Sequence, residues 1–267
     1  MRDIDPHAPG ALPGPVFDPH CLGGRTILVT GASSGLGRAT AGALAQCGAR
    51  VILTGRDPAK LDDTRAQLTG GAHVAVAAAF TDADQVADLV KSIATDHGPL
   101  DGIFHAAGAY MAMPARMTKQ RHVDNMFAAS VWGAFGIARA AAQKNVMRDG
   151  ASVVFMSSVA AERGHVGTTA YAGAKATILG IVPVLAIELA PRRMRVNSIV
   201  AATIETEMHL NTIANLPDEL VQDGLSRHLL GFGDPSDIAH AVIYLMSDAG
   251  RWITGTALTV DGGYLAK

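Results

Sequence analysis

The sequence predicts an α/β fold, a doubly wound, seven-stranded parallel sheet of Rossmann-like type with helices on both faces, and three observations carry that expectation. From Arg25 onward, short β-branched runs alternate with helix-length segments, the pattern of right-handed βαβ units. The first run closes on the glycine-rich turn Thr30-Gly31-Ala32-Ser33-Ser34-Gly35-Leu36-Gly37, which opens a helical segment. The length, 267 residues, suits a single α/β domain with a large core.

Taken in order, residues 1–23 hold Pro6, Pro9, Pro13, Pro15 and Pro19 among small and polar residues. Proline removes backbone donors and biases its neighbours to extended conformations, so an irregular tail is expected, followed by one domain over 24–267. Strands are predicted at Thr26–Thr30, Val51–Thr54, Val74–Ala78, Gly102–His105, Ser152–Met156, Arg195–Ile199 and Ala257–Val260. Helices are predicted near Gly35–Cys47, Pro58–Leu68, Ala83–Asp96, Lys119–Arg148, Thr169–Ala190 and Ser236–Ser247. Asp57-Pro58 supplies an N-cap acceptor and a first-turn proline, and Gly48 suits the left-handed cap after the first helix.

Composition narrows the function. A formal net charge of −2 gives no reason to expect nucleic acid or a charged membrane as partner. Cys21 and Cys47 are the only cysteines, without a Cys-x-x-Cys pair or Cys/His cluster, so neither a disulfide framework nor a metal site is expected, and a reducing cytoplasm fits. The N-terminal stretch lacks a basic segment followed by an apolar run, so no secretory signal is expected. The most apolar stretch, Ile178–Ile187, is about half the roughly 20 residues that span a bilayer and contains Pro183, so no membrane span is expected.

In a doubly wound sheet the ligand crevice lies beyond the carboxyl ends of the strands, where the winding reverses. The loops after Thr30, Thr54, His105, Met156 and Ile199 converge there. Gly31, Gly35 and Gly37 let the backbone approach a pyrophosphate, free N–H groups at the helix start favour its charge, and Ser33 and Ser34 add hydroxyl donors. The second strand ends at Thr54-Gly55-Arg56-Asp57, where a carboxylate would grip the ribose hydroxyls of NAD. Gly55 takes that place and Arg56 can hold a 2′-phosphate, so NADP is preferred, with NAD the alternative.

Tyr171 and Lys175 stand one helical turn apart, and Ser158 lies thirteen residues before the tyrosine. Hydride transfer to a carbonyl leaves charge on oxygen that a proton donor must meet, and a phenol with a reference pKa near 10 needs a nearby cation. An ammonium about 4 Å away would favour phenolate by roughly 4 kcal/mol at an effective dielectric near 20, before desolvation opposes it. Tyr171 is read as acid or base, Lys175 as its electrostatic partner, and Ser158 as the group that positions the substrate oxygen. The substrate is then a small alcohol or carbonyl compound.

With these pieces in place the chain resembles the short-chain dehydrogenase/reductase family in its single-domain form, from about Gly24 to Tyr264. The resemblance rests on Thr30 to Gly37, on Ser158 with Tyr171-x-x-x-Lys175, on Arg195-Val-Asn-Ser-Ile199, and on the segment from Ile253 to Gly263. It implies that Ser158, Tyr171 and Lys175 are catalytic and that Lys175 also binds the nicotinamide ribose. By the same resemblance Leu36, Ala107, Gly108, Ile204 and Thr206 join Gly31, Ser33, Ser34, Gly35, Gly37 and Arg56 in holding the cofactor. It implies a homo-oligomer too, tetramer or dimer, and helix Thr169–Ala190, apolar on nearly every side, is read as a subunit interface.

Several family positions are altered. Asn-Asn-Ala-Gly after the fourth strand is His105-Ala106-Ala107-Gly108, Ala79 replaces an aspartate, and Ala201-Ala202 replaces Pro-Gly. Ser130 stands where the family has a fourth catalytic residue, an asparagine that helps hold a proton-relaying water. Its hydroxyl either joins that relay or bonds back to the preceding turn. His105 either substitutes for the missing amide or packs, and His165 is a residue of the pocket. Met111, Met113, Met208, His209, Leu210, Ile213 and Leu216 are read as an apolar cover over the substrate. Two specific activities stay open, a 3-oxoacyl-thioester reductase and a sugar or polyol dehydrogenase, beside a catalytically weak regulatory or scaffold protein.

Overall fold

The computed structural model describes residues 16–207, 209–210 and 218–267. Seven strands form one parallel sheet: β1 (Thr26–Thr30), β2 (Arg50–Gly55), β3 (Val74–Ala77), β4 (Leu100–His105), β5 (Met147–Ser158), β6 (Arg195–Ala201) and β7 (Ala257–Val260). Their order, β3-β2-β1-β4-β5-β6-β7, reverses winding between β1 and β4 and so places the crevice at the ends of those two strands.

The eight α-helices of the described residues are α1 (Gly35–Gln46), α2 (Pro58–Gln67), α3 (Ala83–His97), α4 (Gln120–Phe127), α5 (Gly133–Ala141), α6 (Thr169–Leu189), α7 (Asp218–Ser226) and α8 (Pro235–Met246). Side chains alternate across the sheet. Ile27 and Val29 of β1 and Phe104 of β4 join Leu44 of α1 and Ile238 and Val242 of α8 on one face. Leu28 and Ile103 join Val86 and Val90 of α3, Ile137 of α5 and Ile178 and Val182 of α6 on the other. Each fully buried branched side chain contributes about 1.5–3 kcal/mol, so the two faces together fix the register of every strand.

Local chemistry sets the helix starts. The Asp57 carboxylate accepts from Lys60 N at 3.2 Å ahead of Pro58, and Asp82 accepts from Asp84 N and Gln85 N at 2.9 and 3.0 Å. Asp234 and Asp237 close a reciprocal box at the start of α8. Gly48 follows α1 with φ +86°, as expected of a left-handed cap.

Two expectations are corrected. The helix predicted over Lys119–Arg148 is broken into α4, a π turn at Ala128–Trp132, and α5, and it ends at Ala141. Strand β5 starts at Met147, five residues early, because Met147 pairs with Leu100 before the register shifts at Gly102 and Ser152. The described end of the tail is irregular yet packed: Leu22 is fully buried and its N–H meets the Cys47 carbonyl at 3.0 Å. The segment Thr169–Arg192 meets the length and composition that a membrane crossing needs. Here it lies along the sheet, with Ile178, Val182, Leu185 and Leu189 buried.

Helices α3 and α5 touch backbone to backbone at Gly136, where an added Cβ would lie 2.5 Å from the Ala83 carbonyl oxygen and 2.6 Å from Val86 Cβ. Gly136→Ala is therefore expected to destabilise the protein by about 1–3 kcal/mol by overpacking, despite a helix-propensity gain of up to about 1 kcal/mol. Urea unfolding checks this, and an unchanged or raised midpoint would show that the helices separate freely.

Candidate active site

Strand β5 and helix α6 are joined at the crevice by two hydrogen bonds that run in opposite senses. The Ser157 hydroxyl donates to the Lys175 carbonyl at 2.9 Å, and the Lys175 ammonium donates to the Met156 carbonyl at 3.1 Å. Lys175 is only 6 % exposed, and Met156 supplies its one hydrogen-bond acceptor among the described residues. Two of its three N–H donors thus remain available to a ligand. Burial pushes its pKa down to about 8.

One turn earlier on α6, the Tyr171 ring centre lies 5.8 Å from the Lys175 nitrogen. Ser158, the last residue of β5, is buried; its hydroxyl accepts from Ala160 N at 3.2 Å and lies beside the phenol. Taken alone, an ammonium one turn away would draw the phenol pKa down, with desolvation opposing it. In the free protein burial wins and raises it, the neighbouring Ser158 hydroxyl opposes the rise, and Tyr110 adds to it. Tyr110 meets Tyr171 edge-on with ring centres 5.1 Å apart. Together with Met111 and Val131 it gives the phenol apolar surroundings.

The glycine-rich turn is a cradle that side chains would fill. Gly31 has φ +65°, and a Cβ there would sit 2.9 Å from the backbone of Ala107; a Cβ on Gly37 would sit 2.2 Å from the Gly31 carbonyl oxygen. Ser34 precedes α1 in extended conformation without a side-chain cap, which leaves first-turn N–H groups for an anion. The Arg38 guanidinium holds the Ser33 carbonyl and reaches Glu207 at 3.5 Å. Thr206 comes within 3.7 Å of a Cβ built on Gly35, and Ile204, two residues earlier, is buried and bridged to Gly233. Gly108 leaves 3.5 Å between its would-be Cβ and the Lys175 nitrogen. The side chain of Leu36 is partly buried against the core. These residues fit a dinucleotide.

At the end of β2 a Cβ on Gly55 would stand 3.3 Å from the Ser33 hydroxyl, so a carboxylate has no room to enter there unaltered. Arg56 is exposed and, among the described residues, pairs with no carboxylate, since Asp57 is occupied by its helix cap.

His105, at the end of β4, is fully buried between Phe80 and Phe155, with ring centres 5.9 Å away on each side. Its Nδ1 lies 2.8 Å from the Thr30 hydroxyl and its Nε2 3.1 Å from the Ser130 carbonyl. Thr30 also accepts from Ala107 N at 3.2 Å. Ala107 N–H, Thr30 O–H and His105 Nε2–H donate in one direction, which assigns the neutral Nε2–H tautomer. Burial pushes the His105 pKa down to about 4, with the neighbouring Lys175 charge acting in the same sense. Ser130, in the π turn, is buried and its hydroxyl takes no partner among the described residues. It does not bond back to the preceding turn.

His165 is engaged by the Tyr264 hydroxyl, and the loop carrying it is tied to the loop after β4 by Met113 N donating to the Gly167 carbonyl at 2.7 Å. Of the expected cover, His209 packs edge-on against Phe232 at 4.9 Å, while Met208, Ile213 and Leu216 lie outside the described residues. Tyr110 and Ser157 were not singled out from sequence. An aromatic two residues past Gly108 was the available signal for the first, and Ser157 carried none beyond its place beside Ser158.

A family model described as enoyl-(acyl carrier protein) reductase matches residues 31–265. A 3-oxoacyl-[acyl-carrier-protein] reductase, FabG, of Thermotoga maritima is 33% identical over 246 residues, covering 91% of this chain and 98% of that protein. A D-threitol dehydrogenase of Mycolicibacterium smegmatis is 32% identical over 252 residues, covering 92% and 95%. Among solved structures, a putative short-chain alcohol dehydrogenase from Sinorhizobium meliloti 1021 superposes with a TM-score of 0.85 at 33% identity over 95% of this chain and all of that one (100%). A blue fluorescent protein from a metagenomic library, in complex with NADPH, gives 0.81 at 29% identity over 91% and 98%. The chain belongs to the short-chain dehydrogenase/reductase family and is an NAD(P)-dependent oxidoreductase.

His105 makes acid stability a test of this geometry. Its pKa is lowered from 6.5 to about 4 on folding, so the unfolded chain binds a proton that the native site refuses. Its contribution is fully present above pH 6.5 and is lost as pH falls toward 4, by about 3 kcal/mol in all. Urea unfolding at steps between pH 7 and 4 should show this slope, reduced in His105→Phe; equal slopes in both proteins would show that the ring titrates freely.

Proposed function

We propose that this short-chain dehydrogenase/reductase interconverts a secondary alcohol and a ketone, prefers NADP(H) to NAD(H), and uses Tyr171, Lys175 and Ser158 for the chemistry. The observation that carries this reading is the buried Lys175, with one protein acceptor, beneath Tyr171 and next to the space that Gly108 keeps open. When bound, the nicotinamide supplies or takes up the hydride. Tyr171 exchanges the proton with the substrate oxygen, and Ser158 donates a hydrogen bond that orients it. Lys175 offers its free N–H groups to the nicotinamide ribose and its charge to the phenol. The N–H groups at the start of α1 would hold the pyrophosphate, and Arg56 with Ser33 would hold the 2′-phosphate.

A small alcohol or carbonyl compound with an apolar flank suits Tyr110, Met111 and Val131 beside the phenol. A 3-oxoacyl thioester is supported by the Thermotoga relative and by Arg116, Lys119 and Arg121, exposed after β4 and unpaired among the described residues. A sugar or polyol substrate is supported by the threitol dehydrogenase relative. The exposed Trp132, Phe135, Val184 and Ile187 on α5, its π turn and α6 support a homo-oligomer, a tetramer or a dimer.

Fluorescence titration with NADPH and NADH, followed by turnover on a panel of ketones, 3-oxoacyl thioesters and polyols, tests the proposal. Tyr171→Phe should lower kcat by about 10²–10⁴-fold with dinucleotide binding kept. Arg56→Ala should weaken NADPH by about 10- to 100-fold, the worth of one charge-assisted bond, and leave NADH unchanged. Undiminished turnover in Tyr171→Phe would remove the assigned chemistry, and equal loss of both dinucleotides in Arg56→Ala would remove the NADP assignment.

A further inference from the structure

The π turn at Ala128–Trp132 breaks the long helix where it passes the crevice, and it does so opposite a side chain that the family pattern does not have there. A π turn shifts backbone bonding by one residue, so the carbonyls within it lose their regular α-helical partners. The Ser130 carbonyl takes the Gly133 N–H, three residues on, and the His105 Nε2–H at 3.1 Å. Both of its lone pairs are then filled.

The surroundings are built for the imidazole. Gly133 has no Cβ, and one placed there would lie 2.6 Å from His105 Cε1 and 3.0 Å from Phe80. Phe80 stacks on one side of the ring at an interplanar angle of 13°, and Phe155 meets the other edge-on. The remaining ring nitrogen is met by Thr30, the residue before Gly31 of the cofactor turn, and Thr30 in turn receives the N–H of Ala107, beside Gly108. One hydrogen-bonded line therefore runs from the cofactor loops through the ring to the turn that carries Ser130. On its far side the turn packs, through Val131, against Ala174 and Tyr171 of α6.

We propose that His105 is a positioning residue: by donating to the Ser130 carbonyl it holds the π turn in register with both the cofactor loops and the Tyr171–Lys175 face of α6. The inference rests on the reading of Tyr171 and Lys175 given under Proposed function and adds to it the element that sets their distance from the long helix. With the Ser130 carbonyl saturated, the Ser130 hydroxyl is the polar group that this turn leaves for the site. His105 acts through the turn and touches no reacting atom.

The test compares wild type with His105→Phe, which keeps the ring and loses both polar contacts, His105→Gln, whose amide nitrogen can replace the Nε2 donor, and His105→Asn, whose amide is too short to reach. Hydrogen exchange followed by mass spectrometry over residues 126–134 is read with NADPH affinity, kcat and KM. His105→Phe and His105→Asn should exchange faster over that segment alone and lose about 10- to 100-fold in kcat, with NADPH affinity within about threefold of wild type. His105→Gln should recover protection and most of the turnover. If His105→Phe does not fold, the Gln and Asn variants decide the matter. Equal behaviour of Gln and Asn, or wild-type protection in His105→Asn, would reduce His105 to packing and overturn the proposal. Tyr171→Phe in the same assay separates the two claims: its retained turnover would defeat the catalytic reading, while the exchange data still judge His105 by themselves.

Discussion

Two opposed hydrogen bonds between the end of β5 and the second turn of α6 are the constraint on which the site depends. Ser157 holds the Lys175 backbone, and Lys175 holds the Met156 backbone, so the strand and helix cannot slide past one another without breaking both. Each such bond contributes only about 1 kcal/mol net, yet leaving a buried ammonium without an acceptor would cost several times more. The pair therefore fixes geometry more than it adds stability. Ser158, one residue beyond Ser157, and Tyr171, one turn before Lys175, inherit their positions from it.

Burial sets the electrostatics of this arrangement. Lys175 and Tyr171 are both moved toward their neutral forms, the lysine down to about 8 and the tyrosine upward, because the low-polarity surroundings penalise charge on either. A site in this condition is poised to gain from a polar ligand. Ribose hydroxyls against the free ammonium protons, and a substrate oxygen against the phenol and Ser158, would replace solvation that folding removed. The glycines make that approach physically available: Gly31 and Gly37 close the turn to distances at which any Cβ would collide, and Gly55 leaves space already held by Ser33.

The parallel sheet was legible because its central strands are continuous apolar runs and its turns carry Asp, Pro and Gly where backbone chemistry demands them. The alignment of Ser158, Tyr171 and Lys175 followed from strand ends and helical spacing alone. The π turn was not legible, since one inserted residue in a helix such as Gln120–Ala141 barely disturbs a 3.6-residue period and the turn's contact to His105 comes from a distant strand. Nor was the early start of β5, where the expected helix runs to Arg148 and Asp149-Gly150 reads as a turn, or the packing of Leu22, isolated in a proline-rich segment. The net direction of the Tyr171 shift was not legible either: pair attraction can be reasoned from spacing, whereas desolvation depends on Tyr110 and the other neighbours that only the fold supplies.

The Lys175 ammonium is buried against a single backbone acceptor among the described residues, beside the phenol. Titration of its Cε resonance by NMR, in protein carrying labelled lysine and free of dinucleotide, tests that most directly. A midpoint near pH 8 is the result expected, well separated from the exposed lysines near 10.4. A midpoint above 10, among the surface lysines, would show a solvated side chain and contradict the account.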